Sequence, residues 1–440
     1  MTEAQTLPED RRPSMLRAAM QTYGSYLAGS AVSLANVVLT ARLLGATGRG
    51  EIAFLTTVSG LIAFLASLSA SEAMINISGA YPERRPALAG AGVVLAGALG
   101  GLGAAVAWII FWVMPAPGIQ FADVDILIAV SAIPIWILQT YFLYLARATY
   151  DLGMASLGFI SAPVVTFVLN LGFAAAGGLT IRVAILSWAI GVAVSAGLLV
   201  VHVGRSSGFA LPSAPLIRQV LGFGLRSHLG GVMMTGTYRL DHWLVGALGN
   251  ARELGTYSVA AAWFDGIVHL SRAVSVTFRP DLLRASTADA GRQAARIFRI
   301  CAVLVLIIVG GTVLAAPFLC VTIFGPEFTD SVLDLRILAV GAFGMMALNI
   351  FGTALVAQQR PILESTAHSV GFAVAMILFV VMIPRFGATG AAFASAVGYL
   401  VCGGVALGLA HRTLGLRYRS LLPQPTDIAD MMRIVRRRKG

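Results

Sequence analysis

The sequence is poor in charge. Only 12% of its 440 residues are Asp, Glu, Lys or Arg, against about a quarter in an ordinary soluble domain. Hydrophobic residues make up 58% and the mean hydropathy is +0.84, which excludes a soluble globular chain and points to a bilayer as solvent. Cysteine is scarce as well: Cys301, Cys320 and Cys402 lie in apolar runs with neither CxxC nor metal-ligand spacing. They read as buried free thiols, not as a redox or metal site. Lysine is nearly missing, Lys439 being the one lysine among 31 basic residues; in a chain so rich in Ala and Gly this fits a GC-rich coding sequence and carries no functional weight. A GxxxxGK[ST] phosphate loop and an HExxH metal helix are both lacking, and no soluble catalytic domain interrupts the chain. No catalytic residue, metal or cofactor is therefore expected, and any energy source must be an ion gradient, the gradient of a substrate or a partner. The opening 20 residues, MTEAQTLPEDRRPSMLRAAM, lack the apolar core of a signal peptide, so the first span is expected to act as the insertion signal.

What the chain has in abundance is long apolar runs. A hydrocarbon core of about 30 Å needs about 20 mainly apolar residues per helix, and the sequence supplies twelve such runs, at 21–44, 52–76, 87–113, 124–147, 153–177, 181–203, 220–248, 254–279, 297–323, 331–357, 362–384 and 388–410. Their apolar residues are continuous, not alternating, which excludes barrel strands. Basic residues in the short loops set the orientation. With both termini in the cytoplasm most arginines fall on that side, against Arg42, Arg49, Arg182, Arg252, Arg336 and Arg385 on the other. A multi-pass protein of the cytoplasmic membrane is expected. Trp112, Tyr141 and Tyr399, near predicted helix ends, read as interfacial anchors. The tail from Arg412, ending VRRRKG, is suited to anionic lipids of the inner leaflet.

The chain also repeats itself. LLGATGRGEIA (43–53) after the first span matches LVGALGNARELGTYSVA (244–260) after the seventh, and AILSWAIG (184–191) matches AAFASAVG (391–398). The offset of about 200 residues corresponds to six spans, an even number, so the halves share one orientation as in parallel repeats. The loop GRSSGFALPSAPLIRQ marks the same division. The expected organisation is a cytoplasmic tail (1–20), an N-lobe (21–203), an inter-lobe loop (204–219), a C-lobe (220–410) and a basic cytoplasmic tail (411–440).

An ionised residue at the middle of a span costs roughly 2.5–3.5 kcal/mol on insertion scales and so faces a bundle interior or a wet cavity. Apart from Glu72 in span two, such residues collect on spans seven and eight: Arg226, His228, Arg239, Asp241, His242, Asp265, His269 and Arg272. At roughly 100° per residue, Arg226, Thr237 and Asp241 share one side of span seven while His228, Arg239 and His242 share another. On span eight Asp265, His269 and Arg272 follow i, i+4, i+7 and form one stripe. Gly230 and Gly231 offer span seven a place to bend. Two readings stay open. Either these groups line a basic, hydrated cavity between the halves that accepts an anion, or Arg239/Asp241 and Asp265/Arg272 neutralise each other as buried pairs that fix helix register. Glu72 is a candidate for ion coupling.

The stretches ARLLGATGRGEIA (41–53), YRLDHWLVGALGNARELGTYSVAAAWF (238–264), TFRPDLLRA (277–285) and FGATGAAFASAVGY (386–399) together resemble the polysaccharide transporter branch of the MOP superfamily, the Wzx-like flippases of O-antigen and exopolysaccharide. The similarity covers nearly the whole chain. It implies an all-α membrane protein of twelve helices, in two six-helix lobes arranged as a V, whose alternating access moves a polyprenyl-pyrophosphate-linked oligosaccharide from the inner to the outer leaflet. It further implies a cationic substrate-binding cavity supplied by Arg226, Arg239 and Arg272, with Arg42 and Arg49 at its rim. Asp241, Asp265, Glu72 and His269 are left for charge balance or ion coupling. The partners implied are the lipid-linked oligosaccharide, membrane lipids and polysaccharide polymerase or export machinery, with no nucleic acid. The competing readings are a MATE-like exporter of organic cations driven by protons or sodium, a membrane glycosyltransferase or polymerase working on lipid-linked sugars, and a non-transporting scaffold of an export complex. Acids and aromatics would favour the exporter; here arginines outnumber acids on the charged helices.

Overall fold

The computed structural model describes residues 15–113, 121–149 and 151–422. The segment from Arg433 to Lys439, the most basic part of the tail, lies outside them. The described residues are helical, without strands: α1 (Met15–Ala66), α2 (Ala70–Ala80), α3 (Arg85–Val113), α4 (Asp123–Ala148), α5 (Leu152–Ala175), α6 (Ile181–Ser207), α7 (Ala214–Leu248), α8 (Ala251–Arg284), α9 (Thr287–Pro317), α10 (Ser331–Ala357) and α11 (Pro361–Leu414). Two of them are pairs of helices joined through a single glycine, α1 at Gly45 (φ 69°) and α11 at Gly387 (φ 55°). Both glycines open the same four letters, Gly-Ala-Thr-Gly, at 45–48 and 387–390. Positive φ costs a side-chain-bearing residue heavily and glycine little, so the motif turns the chain back within one residue.

Among the described residues, eight helical stretches are long and apolar enough to cross a membrane. The Gly45 and Gly387 turns divide two of these into two arms each, and α7 and α8, less apolar than the rest, add two more. The result is a twelve-helix, multi-pass membrane protein, as the apolar runs predict.

Span two differs from expectation. The sequence reads as one helix over 52–76, whereas the chain breaks between α1 and α2, with Leu68 (φ 49°) and Ser69 (φ 50°) left-handed. Non-helical backbone at membrane depth survives only where protein or water satisfies it. Here the Tyr141 hydroxyl donates to the Ser67 carbonyl at 2.7 Å, Ser69 Oγ lies 2.9 Å from His228 Nδ1, and Phe64 stacks on the His228 ring at 5.6 Å. Nothing in the local string ASLSAS (66–71) signals a break; partners more than 70 residues away stabilise it. Tyr141 is consequently buried to 0% exposure, a tertiary strut and not the interfacial anchor its position suggested. Tyr399 is likewise buried and stacks on Phe264 at 5.1 Å, while Trp112 is exposed. α7 runs as unbroken helix through Gly230 and Gly231.

The chain forms two compact units. One comprises the described residues of Met1–Leu43, Leu55–Pro115 and Gln120–Gly231; the other includes Leu44–Phe54 and Val232–Gly440. In the first unit, Asn170 Nδ2 donates to Asn36 Oδ1 at 2.8 Å, and Ser195 joins Gln139 to the Gly158 carbonyl. In the second unit α8, α9, α10 and α11 pack around a core that includes Met345, Phe351 and Tyr257. Its tightest crossing lies where the second arm of α1 meets the start of α8. A Cβ on Gly50 would fall 1.7 Å from the Ala251 carbonyl oxygen, and one on Gly255 would fall 1.8 Å from that of Ala46. These are corresponding glycines of the repeated strings GRGEIA and RELGTY. Close approach of small residues is how membrane helices gain packing without a hydrophobic driving force between them.

Candidate functional site

The charged residues of α7 and α8 divide by face. Residues two apart on a helix do not meet, so Arg239 and Asp241 point apart and the pairing that sequence suggested between them does not form. Asp241 turns inward, 3% exposed. Its Oδ1 accepts from the His242 backbone N at 2.7 Å and lies 2.8 Å from His242 Nδ1. Its Oδ2 accepts from the Tyr257 hydroxyl at 2.6 Å, and Ser395 Oγ stands 3.1 Å from that hydroxyl. α7, α8 and α11 are thus knotted through one carboxylate with both oxygens occupied, which is how a buried charge must be held.

Arg239 faces the other way and pairs with Asp265 of α8 at 3.1 Å, the two side chains being 50% and 31% exposed. Asp265 is therefore committed across to α7, not along its own helix to Arg272. Arg272 instead sits over the ring of Tyr238 at 5.3 Å, and Tyr238 leans on His368 of α11 at 6.3 Å. His269, half-buried between them in sequence, is within electrostatic reach of Asp265, Arg272 and Arg239. Two guanidinium groups, one carboxylate and an imidazole thus share a face of the second unit. An ion pair this exposed contributes about 0–1 kcal/mol and a cation over an aromatic ring about 0.5–2 kcal/mol, so an incoming anion can compete for both arginines. Guanidinium is the natural receptor for phosphate oxygens, which it binds through a bidentate fork.

Of the other predicted residues, Arg226, Arg42 and Glu72 belong to the first unit and Arg49 to the second. Arg226 is exposed on the α7 segment of the first unit, two residues before His228. Arg42 is exposed at the end of the first arm of α1, and Glu72 is half-buried in the first turn of α2, just past the break. Arg49 is half-buried in the turn after Gly45, in the second unit, and its Nε has no hydrogen-bond partner. Sequence reading missed Tyr238, Tyr257, His368 and Ser395. The available signal was a single polar or aromatic residue set among small apolar ones, as in GTYSVA and AFASAVG, which composition alone does not separate from ordinary packing.

The same unit holds a second polar region at the glycine turns. The Ala46 backbone N donates to Glu327 Oε2 at 2.9 Å. Around Gly387 a recess of about 720 Å³ is lined by Asn250, Glu253, Asp330, Arg385, Phe386 and Thr389 among others. Behind it Asp334 is 0% exposed; its Oδ1 accepts from Thr389 Oγ1 at 2.8 Å and its Oδ2 has no partner. Among the described residues no three His, Cys, Asp or Glu side chains are placed to hold a metal ion.

The fold is similar to that of solved transporters of the MOP superfamily. A lipid II flippase, MurJ, in an inward closed conformation aligns over 91% of this chain and 88% of its own, with TM-score 0.75 and 11% identity. An inward-facing multidrug resistance MATE transporter aligns over 88% and 94%, with TM-score 0.69 and 16% identity. A MOP superfamily transporter from Pyrococcus furiosus, described by the reverse polarity of its binding pocket, aligns over 91% and 96%, with TM-score 0.63 and 14% identity. No curated protein matches the chain. Within that fold the sequence is more specific: residues 39–333 match the family described as polysaccharide biosynthesis protein, and the chain belongs to that family. The matched stretch contains both glycine-rich repeat strings and the whole charged face of α7 and α8.

Proposed function

We propose that the protein is a flippase that moves a polyprenyl-pyrophosphate-linked oligosaccharide from the inner to the outer leaflet of the cytoplasmic membrane, for assembly of a cell-surface polysaccharide. The reading draws on the family, on the fold and on one observation above the rest: the half-exposed Arg239 and Arg272 on one face of α7 and α8, lightly held by Asp265 and Tyr238. A pyrophosphate cannot cross hydrocarbon with its charges bare; two arginines can carry its oxygens while the polyprenyl tail stays in lipid. Asp265 would serve as the resting counter-ion that the pyrophosphate displaces from Arg239, with His269 beside it. Arg226 would add a third cation, Arg42 and Arg49 would contribute from the rim, and Glu72 would couple an ion. Asp241, closed on both oxygens, fits a structural anchor of the same helices better than a substrate ligand. The termini would lie in the cytoplasm, the N-lobe would run over 21–203 and the C-lobe over 220–410.

The test is outward exposure of a fluorescent lipid-linked oligosaccharide in proteoliposomes. Arg239→Gln and Arg272→Gln should each lower the rate about tenfold, and Arg226→Ala should lower it measurably, at unchanged protein yield. Wild-type rates in both Gln variants would refute the assignment. The same variants, assayed for efflux of organic cations, should show no gain or loss, because a flippase of an anionic lipid carrier does not export cations; in a cation exporter, removing an arginine would relieve repulsion of the cargo and raise efflux.

A further inference from the structure

The recess of about 720 Å³ at the Gly387 turn is built from the starts of α8 and α10 and from the turn between the two arms of α11. Asn250 stands just before α8 and Glu253 in its first turn. Asp330 stands just before α10, where its side chain caps no backbone N–H; Arg385 and Phe386 end the first arm of α11. One wall is held rigidly. Asn250 Nδ2 donates to Glu253 Oε1 at 2.9 Å and the Glu253 backbone N donates to Asn250 Oδ1 at 3.0 Å, a reciprocal cap that fixes both side chains. A Cβ on Gly387 or on Gly249 would fall 2.5 Å from Glu253 Oε2, so these two glycines let the carboxylate lie at the edge of the recess. Asn250, Asp330 and Arg385 are exposed. Phe386 is 61% exposed, an aromatic ring left open beside charged groups.

The mixture of groups narrows the ligand. Carboxylates only accept hydrogen bonds, a guanidinium only donates them, and an amide does both. An anionic ligand would serve Arg385 and be repelled by Glu253 and Asp330; an ammonium would serve the acids and be repelled by Arg385. A hydroxyl donates and accepts at one oxygen, so a ring with several adjacent hydroxyls satisfies both kinds of group at once. The C–H face of such a ring, made positive by its oxygens, suits the negative face of an aromatic ring, which is the role open to Phe386. The volume falls in the range of about 300–1,000 Å³ usual for small-molecule sites. In the orientation proposed above the recess lies on the outer side, where the glycan of the carrier arrives. We propose that it binds an uncharged sugar ring of that glycan, with Phe386 under the ring and Asp330, Arg385 and the Asn250–Glu253 pair on its hydroxyls. The choice of a glycan rests on the flippase reading; the pattern of donors and acceptors adds that the ring is neutral.

The test uses the full-length protein in an amine-oxide detergent, which carries no sugar, mixed with the methyl glycosides of glucose, galactose, mannose and N-acetylglucosamine and observed by saturation-transfer NMR. At least one of these neutral glycosides should receive saturation, while galacturonate and choline should not. Phe386→Ala, and Asp330→Asn combined with Arg385→Gln, should each lower that transfer about fivefold or more, whereas Phe386→Tyr should keep it. Trp112→Ala removes another exposed aromatic side chain and should bind as wild type, and the thermal unfolding midpoint should report each variant folded. The proposal falls if no neutral glycoside binds, if either Phe386→Ala or the double variant binds as wild type, if Trp112→Ala loses binding equally, or if galacturonate or choline displaces the glycoside. Because the glycosides are free and nothing is transported, failure here removes the recess as a sugar site and leaves the flippase reading to the Arg239 and Arg272 variants.

Discussion

Gly50→Ala is the sharpest probe of how the second unit is held together. The added carbon would lie 1.7 Å from the Ala251 carbonyl oxygen and 2.9 Å from the Gly255 nitrogen. An ordinary carbon–oxygen contact is about 3.3 Å or more, so the second arm of α1 and the start of α8 must separate by about 1.5 Å. Backbone atoms, unlike the end of a flexible side chain, cannot swing aside. Overpacking of this kind costs typically about 1–3 kcal/mol and sometimes more, and the better helix propensity of alanine returns up to about 1 kcal/mol. The expected net loss is about 1–2 kcal/mol. Gly255→Ala, whose carbon would meet the Ala46 carbonyl oxygen at 1.8 Å, should cost a similar amount. Both act at one crossing, so the double variant should lose clearly less than the sum, the helices having already parted for the first methyl. Gly266→Ala on the same α8, with nothing within 4 Å, is the control and should be neutral or slightly stabilising. The assay is the thermal unfolding midpoint of purified protein in one detergent. Should Gly50→Ala and Gly266→Ala unfold alike, the close crossing is not a feature of the molecule and the reasoning fails.

Other substitutions test the polar contacts. Tyr257→Phe removes the 2.6 Å donor to Asp241 and should destabilise by about 1.5–3 kcal/mol, the range for a hydrogen bond to a charged group; a change below about 0.5 kcal/mol in denaturant unfolding would mean that the knot is not closed. Asp334→Asn should raise the thermal midpoint, since it keeps the acceptor for Thr389 and removes a buried carboxylate oxygen without a partner; a lower midpoint would show that the carboxylate has a partner in solution. Glu327→Ala takes away the acceptor at Ala46 and should cost about 1 kcal/mol, as loss of a helix N-terminal cap does, whereas Glu327→Gln should recover most of it. Equal losses for both would place the effect in packing and not in the hydrogen bond.

The sequence by itself determined the twelve helices, because a 30 Å apolar solvent leaves a chain little choice but to satisfy its backbone within each helix. It also located the charged face on α7 and α8, since an ionised group among apolar neighbours stands out whatever surrounds it, and the repeat strings marked Gly50 and Gly255 as equivalent. Only the tertiary structure decided the partners. Arg239 bonds to Asp265 and not to Asp241, Arg272 rests on Tyr238, and Asp241 closes on Tyr257 and His242. Pairing is a matter of which faces of different helices meet, and spacing along one helix carries no record of that. The break at Leu68 and Ser69 was hidden for the same reason: the groups that compensate it, Tyr141 and His228, belong to other helices, and local propensity is blind to them.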